Sequence, residues 1–147
     1  MIKEGDAAPD FEARDAEGNM VKLSDLRGQK VVLYFYPKDD TPGCTKEACS
    51  FRDAHSVYER EGIKVLGVSL DDEESHQQFA AKFNLPFTLL ADTDHKVAET
   101  YGVYGEKSYA GKTFSRKFTK PGTYPYHCAF HGGKGGEGMS GTVVVTR

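Results

Sequence analysis

Residues 31–36 read VVLYFY, six aliphatic or aromatic side chains in succession closed by Pro37. Side chains on a strand alternate between the two faces of its sheet, so an unbroken apolar run demands cover on both. The strand therefore belongs in the centre of a sheet with layers above and below it. With 147 residues, 38% of them hydrophobic, the chain suffices for one ordinary domain with its own core.

The flanking sequence supplies those layers. Gly5 to Phe11 is a turn-rich entry, and DAEGN at 15–19 reads as a hairpin tip between extended pieces near Phe11 and Val21, followed by a turn at Ser24–Gly28. After Pro37 a polar loop leads into a helix with Pro42 at its start, Thr41 as its cap, Glu47 in its first turns, and an end expected near Arg60 before Gly62. IKVLGVSL at 63–70 is a second buried strand. Asp71 or Asp72 can cap the next helix, where His76, Phe79, Ala80 and Phe83 recur at helical spacing until Asn84 and Pro86 close it. PFTLLAD at 86–92 reads as a third strand and Lys96–Tyr101 as a short helix ended by Gly102. Strands alternating with helices predict a three-layer α/β domain with a partly parallel sheet. Beyond about Gly111 helical periodicity stops, and TFSRKF, KPGT, YPYHCAF, HGGKGGEGMSG and TVVVTR read as all-β material.

The chemistry centres on Cys44. A cysteine in the first turn of a helix meets the positive end of the macrodipole and unpaired amide donors, which favours its thiolate and marks it as a nucleophile. Cys49 follows five residues later, about 140° around the helix and roughly 7.5 Å along it. A disulfide needs Cα atoms within about 7 Å and converging Cβ vectors, so a Cys44–Cys49 bond requires the helix to unwind locally. Thiolate attack also needs donors that hold the electrophile, which the Gly43 and Cys44 amides and the Thr41 hydroxyl can supply, and a positive charge for the leaving anion. Sulfenic acid on Cys44 would condense with Cys49, and an external dithiol would reset the pair. His55, His76 and His95 read as surface helix residues.

With these residues in view, positions 1–112 resemble the peroxiredoxins of the bacterioferritin-comigratory type. Pro37-Lys-Asp-Asp-Thr41-Pro-Gly-Cys44 matches the family's P-x-x-x-T-x-x-C signature, Cys49 stands at the spacing of its two-cysteine members, and GDAAPDF, GVSLDD, PFTLLAD and YGVYGEKSYAGKTF follow in the family's order. The resemblance implies a thioredoxin-like fold, a mixed sheet flanked by helices. It also implies reduction of hydrogen peroxide and organic hydroperoxides with electrons from thioredoxin or a similar dithiol, without a cofactor. Pro37, Thr41, Cys44 and Cys49 would be its catalytic residues and Gly43 with Thr41 its substrate-binding ones. An arginine beside the sulfur is also implied; Arg116 is the match, with Arg52 the fallback.

Residues 113–147 instead resemble the C-terminal end of a cupredoxin, where paired strands flank a loop of metal ligands. That resemblance implies Cys128, His131 and Met139 as copper ligands and a copper-binding electron carrier as the alternative function. A cupredoxin's second histidine comes from a part of that fold the chain does not contain, and about 35 residues are too few to fold alone. The segment is therefore expected to be no independent domain, its strands TFSRKFT and TVVVT adding to an open sheet edge. A net charge of −3 with scattered basic residues gives no general attraction to nucleic acid or anionic membrane. The charged start MIKEGDAAPDF lacks an apolar stretch, no run reaches the roughly 20 residues of a spanning helix, and three cysteines fit a reducing compartment. A cytoplasmic monomer or homodimer is the expectation.

Overall fold

The structure, a computed structural model, describes residues 5–104, 122–128 and 139–145, the last two stretches as backbone. One sheet runs through it in the order β2-β1-β5-β4-β3-β7-β6. Its strands are β1 (Glu12–Asp15), β2 (Met20–Lys22), β3 (Lys30–Phe35), β4 (Ile63–Ser69), β5 (Thr88–Ala91), β6 (Gly122–Cys128) and β7 (Met139–Val145). β3, β4 and β5 are parallel, and β1, β2, β7 and β6 extend the two edges antiparallel. The helices are α1 (Pro42–Asp53), α2 (His55–Arg60), α3 (Glu73–Phe83) and α4 (Lys96–Thr100), with a 3-10 turn at Leu23–Leu26.

β3 is the covered central strand its sequence demands. Val31, Leu33 and Phe35 pack with Leu66, Val68, Leu90, Phe11 and, from α4, Val97 and Ala98. Val32 and Tyr34, with Tyr36 just beyond the strand, pack on the other face with Val65 and Leu89, under Cys44 and Ala48 of α1 and Phe79 of α3. The Tyr34 ring needs the room left by Gly67, its register partner on β4. A Cβ on Gly67 would lie 2.9 Å from both the Tyr34 ring and Leu89 Cδ2. Glycine there is a packing requirement, since overfilled cores force neighbours off their rotamers.

Three boundaries differ from the sequence reading. The helix expected to reach Arg60 turns at Ala54 and restarts as α2. The third strand begins at Thr88 rather than Pro86, and its last expected residue, Asp92, is instead a buried cap whose carboxylate accepts from the Val97 and Ala98 amides of α4 at 3.0 and 2.9 Å. On the C-terminal side, β7 contains the expected TVVV run and joins the β3 edge from Lys30↔Val145 to Phe35↔Ser140. On its other side β7 pairs with Gly122–Cys128; TFSRKFT lies outside the described residues. The two strands continue the one sheet.

Candidate active site

Cys44 is the third residue of α1, after Pro42 and Gly43. Pro42 has no amide to lose and its fixed φ suits a helix start. Thr45 is the first residue whose amide bonds back, to the Thr41 carbonyl at 2.8 Å. The Gly43 and Cys44 amides thus lie in the opening turn, where helix geometry supplies no carbonyl behind them. Thr41 holds the extended backbone of a cap, but its hydroxyl makes no cap bond and donates to the Lys38 carbonyl at 2.9 Å. Pro37, Thr41, Gly43 and Cys44 thus lie on one loop-to-helix turn at the end of β3.

Cys44 is 3% exposed, and Cys49, on the same unbroken helix, is half-buried; both are free thiols. This is the intact-helix arrangement in which the two sulfurs cannot bond. The helix start does not settle the Cys44 thiol. Burial pushes its pKa up, the Thr41 hydroxyl and Lys38 backbone pull it down, the charges of Glu47 and Asp39 push it further up, and the net direction is upward. Packing the first turn of α1 onto the sheet desolvates the sulfur, and this outweighs the pull of the helix terminus. Glu47, one turn on, is buried as well, with its carboxyl pushed up to about 8 by desolvation and its Oε2 without a hydrogen-bond partner among the described residues.

Arg52, the fallback for the pocket cation, is engaged elsewhere. Its Nη1 donates to the Phe83 carbonyl at 2.8 Å and its Nε to Asp53 at 3.0 Å, tying α1 to the end of α3. Arg116 lies outside the described residues, as does His131. Cys128 and Met139 are backbone register partners on β6 and β7. Among the described residues no group of three or more His, Cys, Asp or Glu could hold a metal.

His76 is not the surface residue expected. It is fully buried on α3, its Nδ1 2.7 Å from Asp39 Oδ2 and its Nε2 3.0 Å from the Leu90 carbonyl. The Leu90 carbonyl accepts from Nε2 and the Asp39 carboxyl faces Nδ1, an arrangement that favours the protonated ring. Burial opposes that charge; the Asp39 hydrogen bond and charge, the Leu90 carbonyl and Asp71 outweigh it, raising the His76 pKa. Asp39 also accepts from the Tyr36 hydroxyl at 2.6 Å and the Ser75 hydroxyl at 2.8 Å. The signal was present in the sequence: His76 falls on the same apolar helical stripe as Phe79, Ala80 and Phe83, and a histidine there must be buried with partners.

The AhpC/TSA family model matches residues 4–127. A Coxiella burnetii protein named as a candidate peroxiredoxin bcp is 55% identical over 113 residues, which cover 77% of this chain and 75% of that one. Peroxiredoxin Bcp of Escherichia coli K12 is 50% identical over 113 residues, covering 77% and 72%. The solved structure of peroxidoxin BcpB from Mycobacterium tuberculosis superposes with a TM-score of 0.67 at 39% identity, covering 69% of this chain and 67% of that one. These relatives carry peroxiredoxin names, and nothing among them supports the cupredoxin resemblance or the copper set of Cys128, His131 and Met139. The motif around Cys44, the helix that carries it and the matches across 4–127 agree: the chain belongs to the AhpC/TSA family, as a peroxiredoxin of the Bcp type.

Proposed function

We propose that Cys44 is the thiol that attacks peroxide and that Cys49 resolves it. The chain is a thiol peroxidase, and its chemistry needs no cofactor. The Cys44 thiolate attacks the terminal oxygen of ROOH; an S–O bond forms as the O–O bond breaks, RO⁻ leaves and takes up a proton to give ROH, and the sulfur becomes a sulfenic acid. Cys49 then attacks that sulfur, water leaves, and a disulfide forms. A thiol reductant returns two electrons and two protons by exchange. The position of Cys44, at the start of α1 beside Thr41, carries this reading, because the first-turn amides of a helix have no intrahelical acceptor and can serve a bound oxygen.

Several finer readings belong with it. Hydrogen peroxide and organic hydroperoxides are the substrates and thioredoxin or a similar dithiol the reductant, in a monomer or homodimer of the cytoplasm. Arg116 is the cation of the site, a reading favoured by the upward direction of the Cys44 pKa, which leaves work for a positive charge. Residues 1–112 form the peroxiredoxin-like unit, and 113–147 a β segment without a domain of its own, which the single sheet order favours.

The test is peroxide consumption with a dithiol donor. Cys44→Ser is expected to abolish it, whereas Cys49→Ser keeps one fast turnover and then stalls as sulfenic or sulfinic acid, read by mass spectrometry. Unchanged turnover in Cys44→Ser would end the proposal. Local unwinding of α1 in the disulfide form is expected as a loss of far-ultraviolet helical signal on oxidation.

A further inference from the structure

The buried pair His76–Asp39 takes no part in those steps, yet Asp39 sits inside the Pro37–Thr41 loop that delivers Cys44. Its carboxylate is held by Tyr36 at the end of β3 and by Ser75 and His76 of α3. Its amide donates at 2.8 Å to Asp71, just beyond β4, which also accepts from Ser69 at 2.7 Å. His76 is anchored in turn on the Leu90 carbonyl of β5. The next residue, Asp40, stands in the left-handed region at φ 56 and meets Lys82 of α3 at 2.7 Å. A loop that carries an unfavourable backbone angle keeps it only when its surroundings hold it there. The loop is thus tied to the ends of three strands and to α3, and Lys38 and Thr41, the two groups that pull the Cys44 thiol toward its anion, flank Asp39.

We propose that His76 is a positioning residue for Cys44: paired with Asp39, it fixes the Pro37–Thr41 loop so that Lys38 and Thr41 are held against the sulfur. This deepens the peroxidase reading and rests on it for its purpose, not for its geometry. Charge is one way to make the tie, and a neutral pair can make it too. Asn at 39 can accept from Tyr36 through its oxygen and donate through its amide to a neutral His76 ring. Replacing both partners with apolar groups removes the tie without leaving a buried charge unpaired, the change that would otherwise dominate stability.

Two variants therefore decide the matter: Asp39→Asn, and the double variant Asp39→Ala/His76→Leu. Three quantities are read on full-length reduced protein: the thermal midpoint, the rate of peroxide attack, and the pH-dependent alkylation of Cys44 by iodoacetamide resolved by peptide mass spectrometry. In the double variant the Tyr36 and Ser75 hydroxyls and the Leu90 carbonyl lose their partners, so the thermal midpoint is expected to fall by several degrees, and both rates are read well below it on folded protein. Cys44 alkylation at neutral pH and the peroxide rate should each fall about tenfold or more, as expected when the thiolate fraction drops by a unit of pKa. Asp39→Asn is expected to keep both rates within about threefold. Wild-type alkylation and peroxide rates in the double variant would overturn the inference, as would an Asp39→Asn variant as slow as the double. Alkylation separates the two readings: if the wild type consumes no peroxide, the peroxidase reading fails, while the alkylation profiles still judge the role of His76.

Discussion

The two faces of the central sheet are built from similar amounts of apolar side chain and used differently. One face carries Leu33, Leu66, Val68 and Leu90 under α4 and the N-terminal segment; its core cluster is aliphatic or aromatic, and the buried Asp92 carboxylate beside it is satisfied by two α4 amides. The other sets Tyr34, Tyr36, Phe79 and Leu89 around Cys44, with Glu47 and His76 buried alongside on the helices that cover it. Burial has opposite consequences on the two. Aliphatic groups gain about 25 cal/mol for each Å² withdrawn from water, whereas each ionisable group must find a partner or change its protonation. The first face supplies stability and the second uses some of it to hold titratable groups out of water.

The contrast breaks first at its extremes. Cys44→Ser should erase peroxide turnover with little change in the melting curve. Leu33→Ala on the opposite face should cost about 2–5 kcal/mol of stability while the folded fraction keeps its peroxide rate; a rate that fell with the packing would show the faces are not separable.

Glu47 gives the next largest effect. Its folded pKa of about 8 lies above its ordinary value, so the native state retains a proton that the unfolded chain releases. This stabilises the fold below the ordinary carboxylate range and is progressively lost as pH rises to about 8, at about 1.4 kcal/mol per unit across that window. Glu47→Gln should therefore match the wild type in thermal melts near pH 4 and be the more stable protein near pH 8. Identical curves at both pH values would mean that the Glu47 carboxyl ionises in the folded protein as readily as in the unfolded chain. Tyr101→Phe, on the aliphatic face, is the smallest change. It removes the 2.7 Å hydrogen bond to the Pro9 carbonyl and should cost about 1 kcal/mol, seen as a midpoint shift with no change in Cys44 alkylation.

How far the sequence reaches depends on whether the relevant forces are local. VVLYFYP announced its own burial, Asn84 closes α3 in the left-handed conformation, and the motif spacing put Cys44 at a helix start, because each is set within a few residues. Of the two candidates for the α3 cap, Asp72 takes it, accepting from Ser75 N at 2.9 Å, while Asp71 turns to the Asp39 amide. The upward push on Cys44 was not visible, since it arises from how tightly the first turn of α1 lies on the sheet. The His76–Asp39 pair joins positions 37 residues apart, and no short-range pattern tells Asp39 from its exposed neighbour Asp40. The bend at Ala54 carries no glycine or proline to announce it, and α2 beyond it lies beside β4.

The pairing of β3 with β7 has a consequence for synthesis. Lys30 and Val145 are register partners, more than a hundred residues apart along the chain. At roughly 5–20 residues per second of translation, β3 would wait on the order of 4–15 seconds for that neighbour after β4, its partner on the other side, has emerged. During that interval the most apolar strand of the protein is an open edge with free amides and carbonyls, the arrangement most prone to pair with another chain. Long-range pairings of this kind also form late in folding. The step most exposed to aggregation is therefore the closing of this edge.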